Sequence, residues 1–190
     1  MNTSKPFMTI TDHSLGLADG PSSLTTTERH AARAIIFNEE GRIALLYTEK
    51  HGHHKLPGGG IDPGEDWTQA LMREAVEEAG CHVRIRDLFI GQILEIRGKD
   101  RLTQRSFCGV ADVTEYRDAP SLTDDEINDG YTPPKWVTLD QAVQLFQQDQ
   151  PKTYLGQFMH KRDFAFLTKS IEQLSPEFTA DKFPASPCPF

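Results

Sequence analysis

Short apolar runs dominate the first part of the chain. Residues 30–37 and 42–48 are rich in apolar and β-branched side chains. They flank the tetrapeptide Asn-Glu-Glu-Gly at 38–41, whose asparagine and glycine favour a tight turn. This pattern predicts a β-hairpin.

Two longer apolar stretches follow. Residues 82–95 predict a strand with a kink near Gly91, and residues 103–113 predict a second strand. The connection at 97–101, Arg-Gly-Lys-Asp-Arg, carries three cations. An exposed hairpin tip is the simpler interpretation of these cations. Contact with a phosphate, or the edge of a homodimer, is the alternative.

Helical spacing begins after Asp66. Asp66 and Gln69 form a capping-box pair, and Gly80 stands where a left-handed residue ends a helix. The apolar residues between them recur at helical spacing: Leu71, Met72, Ala75, Val76 and Ala79. The stretch is therefore predicted to be an amphipathic helix.

Two more helices are predicted in the second half of the chain. Residues 139–147 follow a short strand at 136–138, in which Trp136 is expected to pack in the core. Residues 157–174 predict the last helix, and their apolar face consists of Phe164, Leu167, Ile171 and Leu174.

The two ends of the chain differ in composition from its middle. Residues 1–25 mix Ser, Thr, Asp, Gly and Pro and predict a weakly ordered leader. Residues 175–190 hold four of the 12 prolines and predict a loose tail. Residues 26–174 are then expected to form a single domain of ordinary size.

Three carboxylates share one side of the predicted early helix. Glu74, Glu77 and Glu78 stand at positions i, i+3 and i+4, and Arg73 is one residue off this stripe. Like charges at this spacing repel one another. One interpretation is an acidic face in solvent; the other is a site for a hard divalent cation, which prefers carboxylate oxygens.

The spacing of residues around this stripe is more specific than the stripe itself. It reads G-x5-E-x7-R-E-x2-E-E-x-G and is filled by Gly59, Glu65, Arg73, Glu74, Glu77, Glu78 and Gly80. This pattern resembles the Nudix box, in which bulky apolar residues occupy two further positions. Ala75 and Cys81 stand at those positions and are smaller than is typical.

The resemblance to the Nudix family implies both a fold and a reaction. The fold is an α/β class, an α/β/α sandwich around a mixed β-sheet. The reaction is hydrolysis of the diphosphate linkage of a nucleoside diphosphate derivative or nucleoside triphosphate. Water attacks phosphorus, and Mg²⁺ or Mn²⁺ is the cofactor.

Roles for individual residues are also implied by position in the box. Glu77 and Glu78 match metal-binding carboxylates, and Glu74 matches a metal ligand or the general base. The carbonyl of Gly59 matches a main-chain metal ligand. Gly60 belongs to the glycine turn through which the backbone approaches the metal and the phosphates.

Two features beside the metal ligands bear on the same chemistry. Glu65 and Arg73 match a structural ion pair that fixes the glycine turn to the helix. Lys55 leads into that turn, where it either reaches a substrate phosphate or is simply solvated.

A second acidic stretch, residues 121–126, offers another carboxylate. Thr123 and Glu126 have capping-box spacing on a short helical turn. Nudix enzymes often take an extra carboxylate from this part of the chain, which makes Glu126 a catalytic candidate. Glu74 is placed ahead of it as the general base, with a mixed role as metal ligand.

Charge and cysteine content exclude some partners. The net charge of −8 argues against a nucleic acid polymer, whereas a small nucleotide is compatible if metals receive it. The three cysteines include no CxxC pair, so neither a disulfide framework nor a zinc site is predicted. No apolar run approaches a membrane span, and a cytoplasmic location is expected.

Three histidines, His51, His53 and His54, stand in the stretch 49–55. A metal cluster is one interpretation, but no second cluster completes it, and a polar loop at the mouth of the site is favoured.

Two other functional classes remain open: a catalytically weak Nudix-like regulator that binds nucleotides, and a structural module. The intact box favours the enzyme. The box does not identify the nucleotide.

Overall fold

The computed structural model describes residues 5–18, 27–117 and 119–174. The strands are β1 (Met8–Thr11), β2 (Thr27–Phe37), β3 (Ile43–Thr48), β4 (His53–Lys55), β5 (Cys81–Arg97), β6 (Leu102–Tyr116) and β7 (Lys135–Val137). The helices are α1 (Trp67–Ala79), α2 (Asp124–Asn128), α3 (Leu139–Gln148) and α4 (Tyr154–Leu174). Every helix among these residues is too short or too polar to span a lipid bilayer.

The strands form one mixed sheet of seven strands in the order β1-β5-β6-β2-β3-β4, with β7 paired to β3. β2 and β6 run parallel, as do β1 and β5, whereas β5 and β6 are antiparallel. The predicted α/β class with a mixed sheet is confirmed.

The two faces of the sheet are covered by different helices. Ala32, Ala34 and Ile36 of β2 belong to an apolar cluster shared with α1. Alternate residues of a strand point to opposite faces, and Ile35 and Phe37 accordingly join the larger cluster that includes α3 and α4. The early helix and the two late helices therefore form the outer layers of the predicted sandwich.

Helix α1 begins and ends as its local sequence predicts. The Asp66 side chain accepts hydrogen bonds from the backbone N–H groups of Thr68 and Gln69, and the Gln69 side chain completes the capping box. Gly80 ends the helix with a φ of 63°. These contacts span three or four residues, which is why sequence alone reveals them.

The leader predicted over residues 1–25 differs from the structure where residues are described. Met8–Thr11 pairs in parallel with β5, Ile10 is fully buried, and the ring of Phe7 lies 5.8 Å from that of Phe166. The partners of this strand lie 85 residues away along the chain, so local composition did not indicate them. The predicted tail, residues 175–190, lies outside the described residues.

Parts of two segments that were predicted to be polar and exposed are buried instead. Arg97 is the last residue of β5 and only 4% exposed, so the prediction of an exposed cationic tip is wrong for it and right for Lys99. His53 lies in β4 and is fully buried, and His51 is 3% exposed, so a polar loop is also the wrong description there. His51 binds Asp129 and Thr153, partners that the sequence separates by 78 and 102 positions.

Candidate active site

The chain forms a glycine turn, Gly58, Gly59 and Gly60, after strand β4. In space this turn lies between strand β2 and helix α1. Gly58 has a φ of 137°, and a Cβ atom there would stand 2.2 Å from the Ala32 carbonyl oxygen. At Gly59 a Cβ atom would stand 2.2 Å from Oε1 of Glu74. The absence of side chains therefore lets the backbone lie directly against the sheet and a carboxylate.

Hydrogen bonds hold the glycine turn to both neighbours. The Ala32 N–H donates to the Gly59 carbonyl at 3.0 Å, in the manner of a strand pairing. The Gly58 N–H donates to Oε2 of Glu78 at 2.7 Å. The turn is thus tied to the sheet on one side and to α1 on the other.

Arg73 is the centre of a second set of contacts with this turn. Its Nε donates to Oε1 of Glu65 at 2.9 Å, and its Nη2 donates to the Gly60 carbonyl at 2.8 Å. Its Nη1 lies 2.9 Å from both Glu74 and Glu77. Three carboxylates and a carbonyl therefore share one guanidinium, which fixes the loop to the helix.

The burial of Lys55 decides against one of the two alternatives that the sequence left open. Its Nζ donates to Oε1 of Glu78 at 2.5 Å and lies 4.3 Å from the centre of the Tyr131 ring. The side chain is 1% exposed, so a solvated lysine is excluded. Its ammonium is engaged by a carboxylate, and the predicted phosphate contact stays a prediction.

Three carboxylates converge beside the glycine turn. One oxygen each from Glu74, Glu78 and Glu126 lies within 4.8 Å of the other two. We call this group the carboxylate trio. Glu77, which the sequence placed among the metal ligands, is outside it, and its carboxylate binds Arg73.

Glu126 reaches the trio because α2 is anchored at both ends. The Ser121 N–H donates to the Glu77 carbonyl at 2.7 Å, which ties the approach to α2 against α1. After the helix, Asp129 accepts hydrogen bonds from Lys50 and His51. The predicted capping box is present, with the Thr123 N–H donating to Oε2 of Glu126 at 2.7 Å.

Burial makes the trio electrostatically unfavourable as it stands. Burial raises the pKa of Glu78 to about 7; Lys55 opposes the rise and Glu74 adds to it. Burial likewise raises the pKa of Glu74, against the effect of Arg73. Two cations, Lys55 and Arg73, pair with four carboxylates, which are Glu65, Glu74, Glu77 and Glu78. Glu126 adds a fifth carboxylate within 4.8 Å of Glu74 and Glu78.

The trio opens onto a cavity of about 640 Å³. This volume is within the range of small-molecule sites, roughly 300–1,000 Å³. Four arginines and Gln104 line another part of the same cavity: Arg29, Arg33, Arg97 and Arg162. The site therefore combines an acidic region and a basic region.

Residues 27–157 match the family model described as the NUDIX domain. This chain belongs to the Nudix family. The matched segment contains the glycine turn, all of α1 and α2, and hence every member of the trio.

Curated relatives are similar over part of the chain. Nucleoside diphosphate-linked moiety X motif 6 of Xenopus laevis is 33% identical over 79 residues, which cover 39% of this chain and 36% of that protein. An RNA pyrophosphohydrolase of Erythrobacter litoralis is 35% identical over 63 residues, covering 32% of this chain and 38% of the relative. The matched segments thus span well under half of these relatives.

Solved structures share the Nudix fold. A NUDIX hydrolase from Nitrosomonas europaea aligns with a TM-score of 0.54 at 19% identity, over 73% of this chain and 89% of that one. At this identity the likeness shows the fold alone.

Sequence analysis missed the buried charges of this Nudix domain. Arg33, Arg162 and Asp163 are each at most 5% exposed. Asp163 accepts a hydrogen bond from the Leu56 N–H, and Arg33 donates to the Gly59 carbonyl at 3.2 Å. A signal was present for Arg33, which stands inside an apolar run, whereas Arg162 and Asp163 follow a histidine and a lysine. Only the fold shows the partners of these charges.

The histidines do not form a metal site in the part of the chain that the structure describes. The only group there with three or more suitable ligands is the carboxylate trio. His51 binds Asp129 and Thr153, while His54 binds Asp149 at 2.9 Å. These histidines join strand β4 to the segments around it.

Proposed function

We propose that this Nudix protein hydrolyses a diphosphate linkage in a nucleoside diphosphate derivative or a nucleoside triphosphate, by attack of water on phosphorus. The observation that carries the proposal is the convergence of Glu74, Glu78 and Glu126 within 4.8 Å, on a cavity large enough for a nucleotide. Membership of the Nudix family supports it.

The trio suits a divalent metal of the Mg²⁺ or Mn²⁺ type. Carboxylate oxygens are the donors that hard cations prefer, and the excess of carboxylates over cations leaves negative charge for a metal to neutralise. We assign Glu74, Glu78 and Glu126 as the residues that would hold it. When bound, the metal would polarise phosphoryl oxygens and lower the pKa of a coordinated water.

Two other predicted metal ligands are weaker candidates in this proposal. Glu77 is held by Arg73 outside the trio. The Gly59 carbonyl already accepts hydrogen bonds from the Ala32 N–H and from Nη1 of Arg33. Both would have to exchange a partner for the metal.

For the general base we retain Glu74 ahead of Glu126. A base is most effective when its carboxylate is held in one orientation. Glu74 is 5% exposed, lies against Gly59 and is held by Arg73 at 2.9 Å. Glu126 is half-buried and commits one oxygen to capping α2.

A panel of nucleotides incubated with Mg²⁺ tests the proposal. Nucleoside triphosphates, dinucleoside polyphosphates and nucleoside diphosphate sugars would be scored for released phosphate or pyrophosphate. We expect hydrolysis of at least one class, abolished by excess chelator. Nucleotide binding without turnover would favour the regulator instead, and turnover in excess chelator would contradict the assignment of the trio.

A further inference from the structure

One wall of the cavity is made of arginines that the reaction described above does not use. We call Arg29, Arg33, Arg97 and Arg162 the basic wall. Arg29 and Arg33 come from β2, Arg97 from the end of β5, and Arg162 from α4. Three elements that are distant in sequence thus contribute positive charge to one cavity.

Strand register explains how the wall is assembled. Arg29 is in register with Gln104 of β6, and Gln104 is in register with Glu95 of β5. Side chains two positions apart share a face of the sheet, so Arg33 lies on the face of Arg29 and Arg97 on that of Glu95. The polar row therefore crosses three adjacent strands.

The wall begins next to the carboxylate trio. A Cβ atom on Gly60 would stand 3.1 Å from Nη2 of Arg29, and one on Gly59 would meet Glu74. Arg29 and Glu74 thus contact consecutive residues of the glycine turn. A ligand bound at the trio would reach Arg29 with its next few atoms.

Two carboxylates neutralise only part of the wall. Glu95 accepts from Nε of Arg97 at 2.8 Å and from Nη1 of Arg162 at 3.1 Å. Asp163 accepts from Nε of Arg162 at 2.6 Å and lies 3.7 Å from Nε of Arg33. The four guanidinium groups outnumber the two carboxylates that bind them directly, although the charge of Glu74 also acts on Arg29 and Arg33. A buried guanidinium without a paired anion is unfavourable.

Three arginines of the wall retain unused donors, and the buried Nε of Arg33 is one of them. Nη2 of Arg162 is buried and has no hydrogen-bond partner among the described residues, although Arg162 is 1% exposed. Arg29 is exposed on the cavity, and no carboxylate of the described residues lies within 4.0 Å of it. Partial burial and the charges of Arg97 and Arg162 lower the pKa of Arg29, against the charges of Glu74 and Glu95.

We propose that the basic wall binds a phosphoryl group beyond the anhydride that is cleaved, so that the substrate carries at least three linked phosphoryl groups. Guanidinium groups bind phosphate oxygens through paired, charge-assisted hydrogen bonds. The inference rests on the proposed function. It selects triphosphates and longer polyphosphates over nucleoside diphosphate sugars, in which both phosphoryl groups belong to the cleaved linkage.

Binding of inorganic tripolyphosphate in excess chelator tests the wall without the metal. Titration calorimetry would compare wild type with Arg29→Ala, Arg29→Lys and the control Arg84→Ala, which removes the same charge from an exposed arginine outside the cavity. We expect a dissociation constant raised about tenfold or more in Arg29→Ala, since a hydrogen bond to a charged group is worth that much. The dissociation constant of Arg29→Lys should lie between those of wild type and Arg29→Ala, and that of Arg84→Ala should equal the wild-type value.

A second measurement addresses turnover with Mg²⁺. Arg29→Ala should lower kcat/KM for a nucleoside triphosphate about tenfold more than kcat/KM for the corresponding diphosphate, because only the triphosphate reaches the wall. The inference would be overturned if wild type did not bind tripolyphosphate, or if Arg84→Ala lost as much tripolyphosphate affinity as Arg29→Ala. It would also be overturned if Arg29→Ala left the ratio of kcat/KM for the triphosphate to kcat/KM for the diphosphate unchanged. Hydrolysis without tripolyphosphate binding would refute the wall alone, and binding without any hydrolysis would refute the proposed function alone.

Discussion

The ammonium of Lys55 lies 2.5 Å from the carboxylate of Glu78, and each side chain is 1% exposed. The pair joins the strand that precedes the glycine turn to the helix that follows it. Burial disfavours the Lys55 ammonium, but the Glu78 and Tyr131 charges outweigh this and hold the pKa of Lys55 above its usual value. The Lys55 ammonium is therefore charged in the folded protein.

Breaking this pair from one side should destabilise the protein strongly. Lys55→Met would leave Glu78 buried without its cation, and we expect a loss of about 3–5 kcal/mol in the free energy of unfolding. Urea denaturation measures this free energy. The matched control is Lys50→Met, because Lys50 forms an exposed pair with Asp129 and such pairs are worth at most about 1 kcal/mol. Equal losses in the two variants would show that the buried charge has no special role.

Metal affinity should distinguish Glu78 from Glu77. Glu78→Gln removes a member of the trio, and we expect Mn²⁺ affinity, measured by calorimetry, to fall at least about tenfold because a neutral amide is a poor ligand for a hard cation. Glu77→Gln should have a smaller effect, since the Glu77 carboxylate binds Arg73. A larger loss in Glu77→Gln would mean that Glu77 leaves Arg73 for the metal.

The role of Glu74 can be separated from that of Glu126 by metal titration. If Glu74 only holds metal, extra Mg²⁺ should restore part of the rate in Glu74→Gln. If it is the base, saturating Mg²⁺ should restore nothing and the acidic limb of the pH-rate profile should change. We expect a loss of rate of about 100-fold or more that metal does not fully restore. Full activity in Glu74→Gln would move the base to Glu126.

Arg73→Ala should harm stability and activity together. The guanidinium binds Glu65, Glu74, Glu77 and the Gly60 carbonyl. Because hydrogen bonds to charged groups contribute about 1.5–3 kcal/mol, we expect a loss near that range in urea denaturation. Arg84→Ala, which changes an exposed arginine, is the control. If Arg73→Ala kept wild-type stability and rate, the contacts of Arg73 with the glycine turn would not be needed to hold the turn in place.

Protonation of His53 should weaken the fold in mild acid. Burial lowers the pKa of His53 to about 4. Below about pH 6.5 the unfolded chain binds a proton that the folded chain refuses, so the free energy of unfolding falls as pH drops toward 4. The shift corresponds to about 3 kcal/mol at most. His53→Gln, with no titrating group there, should show a flatter pH dependence; a constant difference from wild type between pH 7 and 5 would contradict this.

Helix α1 and its two carboxylates in the trio could be predicted from sequence because they depend on local contacts. The capping box of Asp66 and Gln69, the left-handed Gly80 and the helical stripe of Glu74 and Glu78 all depend on neighbours within a few residues. Interactions of this range are encoded where they act, so a residue pattern identifies them. The family and the two carboxylates that α1 contributes to the trio followed from that pattern.

The rest of the site depends on which strands become neighbours. Glu126 joins the trio only because α2 is anchored to α1 and β3, and Lys55 meets Glu78 across 23 positions of sequence. Arg29 and Arg162 line the same cavity only because β2, β6 and β5 pair in one register under α4. A one-residue change of register would turn these side chains to the other face, so tertiary structure alone decides which charges share the cavity.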